Sequence, residues 1–136
     1  MWFNIWPALI AAIASMILGF VWYGPLFGKY WMKLQGLTKK DVDDWKKSGK
    51  SMGPYYFAAF VASFVTAFTL SMLFQALGVS SIGGAWAFGV IIWVGFVLTT
   101  TLSSVLWEGK SISLYSLNNL HTLVNILLIG AVMVYI

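Results

Sequence analysis

The sequence predicts an all-α protein, a transmembrane four-helix bundle with a short amphipathic interfacial helix in its first loop. Three observations predict it. Of the 136 residues, 60% are hydrophobic and 9% charged, whereas a soluble domain carries about 25% charged residues. Ten of the twelve charged side chains fall within residues 29–50, which leaves long uncharged runs on either side. Those runs divide at turn signals into four lengths near the roughly 20 residues that a helix needs to cross a hydrocarbon core. The chain therefore reads as a single membrane domain, 1–136, with spans near 5–23, 55–77, 82–106 and 113–136 and a basic loop at 24–53.

The first span contains no charge, and Trp2 and Trp6 at one end with Trp22 and Tyr23 at the other suit the two aromatic belts of a bilayer. No basic residue precedes it and no small-residue cleavage site follows, so it is expected to stay as a span rather than act as a secretory signal. Gly24-Pro25 is expected to end it, because proline lacks the N–H and restricts the residue before it. Lys29 and Lys33 can snorkel to the interface beside Trp31, and Trp107 is the matching anchor after the third span.

The basic loop holds seven lysines and Asp41, Asp43 and Asp44, which accounts for the whole net charge of +4. Thr38 followed by Asp41 reads as a capping-box variant, and Val42 with Trp45 forms an apolar edge, so a short surface helix is expected over residues 39–47, with a solvated loop holding one helical turn as the equal alternative. Its partners by charge are anionic lipid headgroups rather than nucleic acid. Gly78 to Ser81 with Gly83-Gly84 separates the second and third spans, and Pro54 suits the first turn of the second. Lysines occur in the first and third loops and not near Ser80 or at the termini. The positive-inside rule then gives a multi-pass protein of the cytoplasmic membrane, with the basic loop inside and both termini outside.

Helices in a bilayer associate by close backbone approach and interhelical hydrogen bonds. Small residues recur four apart in three rows: Ala11, Ser15 and Gly19; Ala59, Ser63, Ala67 and Ser71; Gly95, Thr99 and Ser103. Each row lies along one helix face and is read as a packing surface. On the fourth span, steps of about 100° per residue collect Asn118, His121, Thr122 and Asn125 into one stripe with Asn119 at its edge. Such a stripe must face protein or a wet cavity. It is the candidate polar site within the membrane, and its expected partners are Thr99, Thr100, Thr101, Ser103, Ser104 or backbone carbonyls.

No catalytic constellation accompanies it. With one histidine, no cysteine and no carboxylate in any span, neither a metal site nor a cofactor is expected; Glu108, 13 residues before His121, is the one acid that could orient it, and only if the loop folds back. Ion coupling through a buried carboxylate is likewise unsupported. No enzyme is expected.

Two stretches, Gly19 to Val42 (GFVWYGPLFGKYWMKLQGLTKKDV) and Leu106 to Ile136, together resemble the DUF1761 family of small bacterial and fungal membrane proteins. Trp22-Tyr23-Gly24-Pro25, Phe27-Gly28-Lys29 and Trp31-Met32 carry most of that resemblance. It implies a four-helix membrane protein of unassigned function and transfers no site residue. The functional expectation is a non-enzymatic interaction or accessory protein acting through helix contacts, as a homo-oligomer or a subunit of a larger membrane complex. The alternative is an oligomeric small-solute or ion transporter, or channel, lined by the polar face of the fourth helix.

Overall fold

A computed structural model of the chain describes residues 5–136. Trp2, assigned above to an aromatic belt, lies outside the described residues. Among them there are six helices and no strand: α1 Ile5–Leu26, α2 Gly28–Gln35, α3 Lys39–Lys47, α4 Gly53–Leu77, α5 Ile82–Leu106 and α6 Ile112–Tyr135. Helices α1, α4, α5 and α6 are long and apolar enough to cross a membrane. Their outer faces carry exposed Ile13, Ile17, Val65, Ile91 and Phe96. A surface that apolar belongs in lipid, because water-soluble monomers rarely leave large contiguous patches of this kind uncovered.

The four long helices do not close into a symmetric square. Helix α1 packs between α4 and α6, α5 packs on the other side of α6, and α4 and α5 scarcely meet. The core runs through this row as Ala8, Ala11, Ala67, Leu70, Phe74, Ala85, Ile126 and Ile129. Its alanines let backbones approach, which is how helices gain contact where lipid offers no hydrophobic driving force. A close approach occurs at Gly89 of α5, where an added Cβ would stand 2.9 Å from Ile126 Cγ2 of α6.

Local signals explain most ends. Thr38 and Asp41 form the reciprocal capping box of α3, with Asp41 N donating to Thr38 Oγ1 at 3.2 Å and Thr38 N donating to Asp41 Oδ2 at 2.8 Å. Those donors, backbone first and then hydroxyl, hold the Asp41 carboxylate below its usual range. Val42 and Trp45 are half-buried on an otherwise exposed helix. Ser81 and Ser111 cap α5 and α6 by accepting from Gly84 N and Leu114 N, both at 3.1 Å. Gly78 ends α4 at φ 68°, a left-handed position that favours glycine.

Two features depart from the sequence reading. Gly24-Pro25 does not end α1, which continues to Leu26 through a π-type turn over Trp22–Leu26. In that wider turn Phe27 N reaches back to Trp22 O at 2.9 Å, so the backbone closes without the missing Pro25 N–H. The chain then re-enters a helix at once, α2, in the stretch assigned to loop. Gly28 permits this because any Cβ there would lie 2.8 Å from Tyr23 O. Helix α5 also widens into a π-type segment over Trp93–Leu98. The Thr99 and Thr101 hydroxyls donate to Gly95 O at 2.7 Å and Val97 O at 2.6 Å, Thr100 bonds Phe96 O, and Tyr115 of α6 donates to Leu98 O at 2.6 Å. Four successive carbonyls are thus satisfied where the regular ladder is loosened, as hydrocarbon surroundings demand.

Candidate functional site

The polar stripe of α6 is divided between two neighbours. Asn119, a quarter-turn from the others, is 4% exposed and faces α5. Its Nδ2 donates to Tyr115 O at 2.8 Å, which can only accept, so Oδ1 must point at Thr101, whose hydroxyl lies 3.0 Å away. That hydroxyl has one proton to share between Asn119 Oδ1 and Val97 O. Of the hydroxyls expected to meet the stripe, Thr101 is the one that does. Thr99 and Thr100 turn to carbonyls one turn back in their own helix, and Ser103 donates to Thr100 O at 3.2 Å, because local acceptors outcompete a neighbouring helix.

Two residues of this interface escaped the sequence reading. Trp93 Nε1 donates to Asn119 O at 2.8 Å and Trp86 Nε1 to Leu127 O at 3.0 Å, so two tryptophans seven apart on α5 rivet it to α6. Their signal was partly available: the two lie on one helix face, and Trp93 sits deep inside an apolar span, away from the interfaces that tryptophan favours.

Asn118 and His121 of the stripe face α1. Tyr23 donates to Asn118 Oδ1 at 2.8 Å, and His121 lies against the rings of Tyr23 and Trp22, with centroids 5.1 and 5.8 Å apart. Thr122 bonds Asn118 O of its own helix at 3.0 Å. Trp22 is therefore buried rather than an interface anchor, since it lies seven residues after Ser15 on the face that α1 turns to α6. Tyr23 is half-buried, Trp31 stands edge-on to it at 5.9 Å, Lys29 and Lys33 are exposed, and Trp107 is 84% exposed.

Four buried polar atoms have no partner among the described residues: Ser15 Oγ, Trp22 Nε1, His121 Nε2 and Asn125 Oδ1. Two come from α1 and two from α6, so they form a seam along one interface. Each such atom costs about 1–3 kcal/mol if left unpaired. Ser15, His121 and Asn125 line a cavity of about 560 Å³ between α1, α4 and α6, with Tyr23 and Ser63 also on its walls. A second cavity of about 500 Å³ lies between α4, α5 and α6, walled by Thr66, Thr69, Thr122 and apolar side chains. Asn125 lines both.

The small-residue rows contribute unequally. Ala11, Ser15 and Ala67 are buried at contacts; Gly19, Ala59 and Ser63 border the first cavity, and Ala59 is exposed there. Gly95, Thr99 and Ser103 are exposed on α5; Ala85 and Gly89 make the α5–α6 approach instead. The reason is the π-type segment, which shifts the phase of residues after Trp93 relative to those before it.

A family model described as a protein of unknown function, DUF1761, matches residues 6–134. The chain belongs to the DUF1761 family. The comparison with curated proteins and the comparison with solved structures each found no match. The family match and the four long apolar helices make this DUF1761 member a membrane protein. The Trp22–Trp31 stretch that carries the resemblance supplies Trp22 and Tyr23 to His121 and Asn118, and Gly28 to the tight exit from α1.

Proposed function

We propose that this protein is a non-enzymatic transporter of a small uncharged molecule, with Asn125 at the midpoint of its path. One observation carries the proposal: two cavities share Asn125 and follow one another along α4. The first is bounded by Met52 and residues 56–63 of α4, the half nearer the basic loop, and the second by residues 65–73, the half nearer Ser80. Both lie in the membrane, and both offer hydrogen-bonding groups without any charged side chain, since the four spans contain no Asp, Glu, Lys or Arg. An ion would find no counter-charge there, whereas a neutral molecule needs none.

In this reading the basic loop faces the cytoplasm, where its lysines meet anionic headgroups, and both termini lie outside. The test is uptake of neutral solutes graded in size, compared with ions, into liposomes containing the purified protein. Protein-dependent uptake that Asn125→Leu abolishes supports the proposal; no uptake above protein-free liposomes, or equal uptake by the variant, refutes it.

A second reading, an accessory protein that binds other helices, is favoured by the exposed Gly95, Thr99 and Ser103 row on α5. Gly95→Leu then lowers the oligomeric mass in detergent, and an unchanged mass removes that support.

A further inference from the structure

We propose that the ligand of the cavity between α1, α4 and α6 is a neutral amphiphile, an apolar body with an uncharged hydroxyl head, entering from the lipid phase. The proposal rests on reading that cavity as a binding site on the transport path.

The chemistry of the walls separates into two zones. At the floor, Ser15 Oγ, His121 Nε2 and Asn125 Oδ1 are buried and unpartnered, and Ser15 as a whole is 5% exposed. These are firmly placed groups, since His121 is held between the rings of Trp22 and Tyr23 and Tyr23 is itself tied to Asn118. Above the floor the lining turns apolar with Met16, Phe20, Met52 and Tyr56. Phe20 and Tyr56 meet edge to face at 5.3 Å, and both are substantially exposed, so the apolar part of the lining reaches the protein surface and the cavity has an opening beside them. In a bilayer that opening faces lipid or the interface.

The floor selects the head. Asn125 Oδ1 can only accept, while Ser15 can donate or accept and the ring nitrogen of His121 does one or the other according to tautomer. A hydroxyl donates to the first and accepts from either of the others, so one head group can pair the cavity-lining members of the seam; Trp22 Nε1 is not on the cavity wall. A bare carbonyl cannot donate to Asn125. A carboxylate or phosphate would bring a charge into spans that hold no cation. The walls select the body. About 560 Å³ lies within the range of roughly 300–1,000 Å³ that encloses drug-sized ligands, and a small polyol would leave the apolar upper zone unfilled.

The experiment uses the full chain in nanodiscs of phosphatidylcholine and labelled 1-monooleoylglycerol as the probe. Saturable binding is expected, displaced by further monooleoylglycerol but not by octadecane, glycerol or ionised oleate. Ser15→Ala and Asn125→Leu should each weaken it by about tenfold, the consequence of losing one or two buried hydrogen bonds. Displacement by octadecane as effective as by the probe overturns the proposal, because the cavity is then only a cleft for lipid tails. So does unaltered binding in both variants when they stay monodisperse. The competitor series on the unmodified chain needs no variant to fold. Saturable, head-selective binding without protein-dependent flux overturns the transport reading and leaves the site standing; flux of glycerol without monooleoylglycerol binding does the reverse.

Discussion

Gly89→Ala should reverse its effect on stability according to what stands opposite it. In the native chain the new Cβ would lie 2.9 Å from Ile126 Cγ2. Carbon atoms rest at roughly 3.5–4.0 Å, so α5 and α6 must part by about half an ångström or more. Ile126 cannot swing aside, since it is buried and a β-branched residue in a helix holds one strongly preferred rotamer. Overpacking of this kind costs about 1–3 kcal/mol, against a gain of about 1 kcal/mol from replacing glycine in a helix. The single variant is therefore destabilised by about 1 kcal/mol. With Ile126→Ala in place the obstructing methyl is gone, and Gly89→Ala should stabilise by about 1 kcal/mol, a coupling near 2 kcal/mol that contacting residues can show. Unfolding of the four proteins in mixed micelles of rising dodecyl sulfate fraction, followed by far-ultraviolet circular dichroism, measures the cycle. Equal stabilisation by Gly89→Ala in both backgrounds would refute the close approach of α5 to α6.

Three further outcomes follow from the same contacts. Gly28→Ala places a Cβ 2.8 Å from the Tyr23 carbonyl, which is backbone and cannot yield; a loss of about 1–3 kcal/mol is expected in the same assay, and a loss below that range would mean the exit from α1 is wider. Tyr115→Phe strips the donor from Leu98 O and should cost about 1 kcal/mol, read as faster amide exchange confined to the π-type segment of α5; exchange raised evenly along α5 would deny the local role. Asp41 has a depressed carboxylate, so the stabilisation it lends α3 is complete above its unfolded-state value and is lost as pH falls through its lower folded-state value. Acid should fray α3 in that window by nuclear magnetic resonance, and Asp41→Asn should remove the dependence; fraying with the same midpoint in the variant would assign it to another group.

Much of the architecture was legible because the forces that set it are written in single residues and short spacings. Uncharged length decides which helices suit a bilayer, and Thr38 with Asp41 predicts a cap whose bonds are both present. The π-type turns were not legible, since an i to i+5 closure depends on how neighbouring helices pull a segment rather than on its own composition. Missing them misplaced the end of α1 at Pro25 and the packing row after Trp93.

For the candidate site, composition and helical period alone decide that α6 carries Asn118, Asn119, His121, Thr122 and Asn125 toward protein or cavity, because hydrocarbon tolerates them nowhere else. Which neighbour each one meets is decided by tertiary contact. The row order α4, α1, α6, α5 gives Asn119 to Thr101 and Asn118 to Tyr23, leaves His121 beside the volume between α1, α4 and α6, and leaves Asn125 also beside the second volume where α4 and α5 scarcely touch. The physical reason is that lipid rewards close backbone approach wherever small residues allow it, at Ala11, Ala67, Ala85 and Gly89, and a row of helices drawn together at those points keeps its gaps elsewhere.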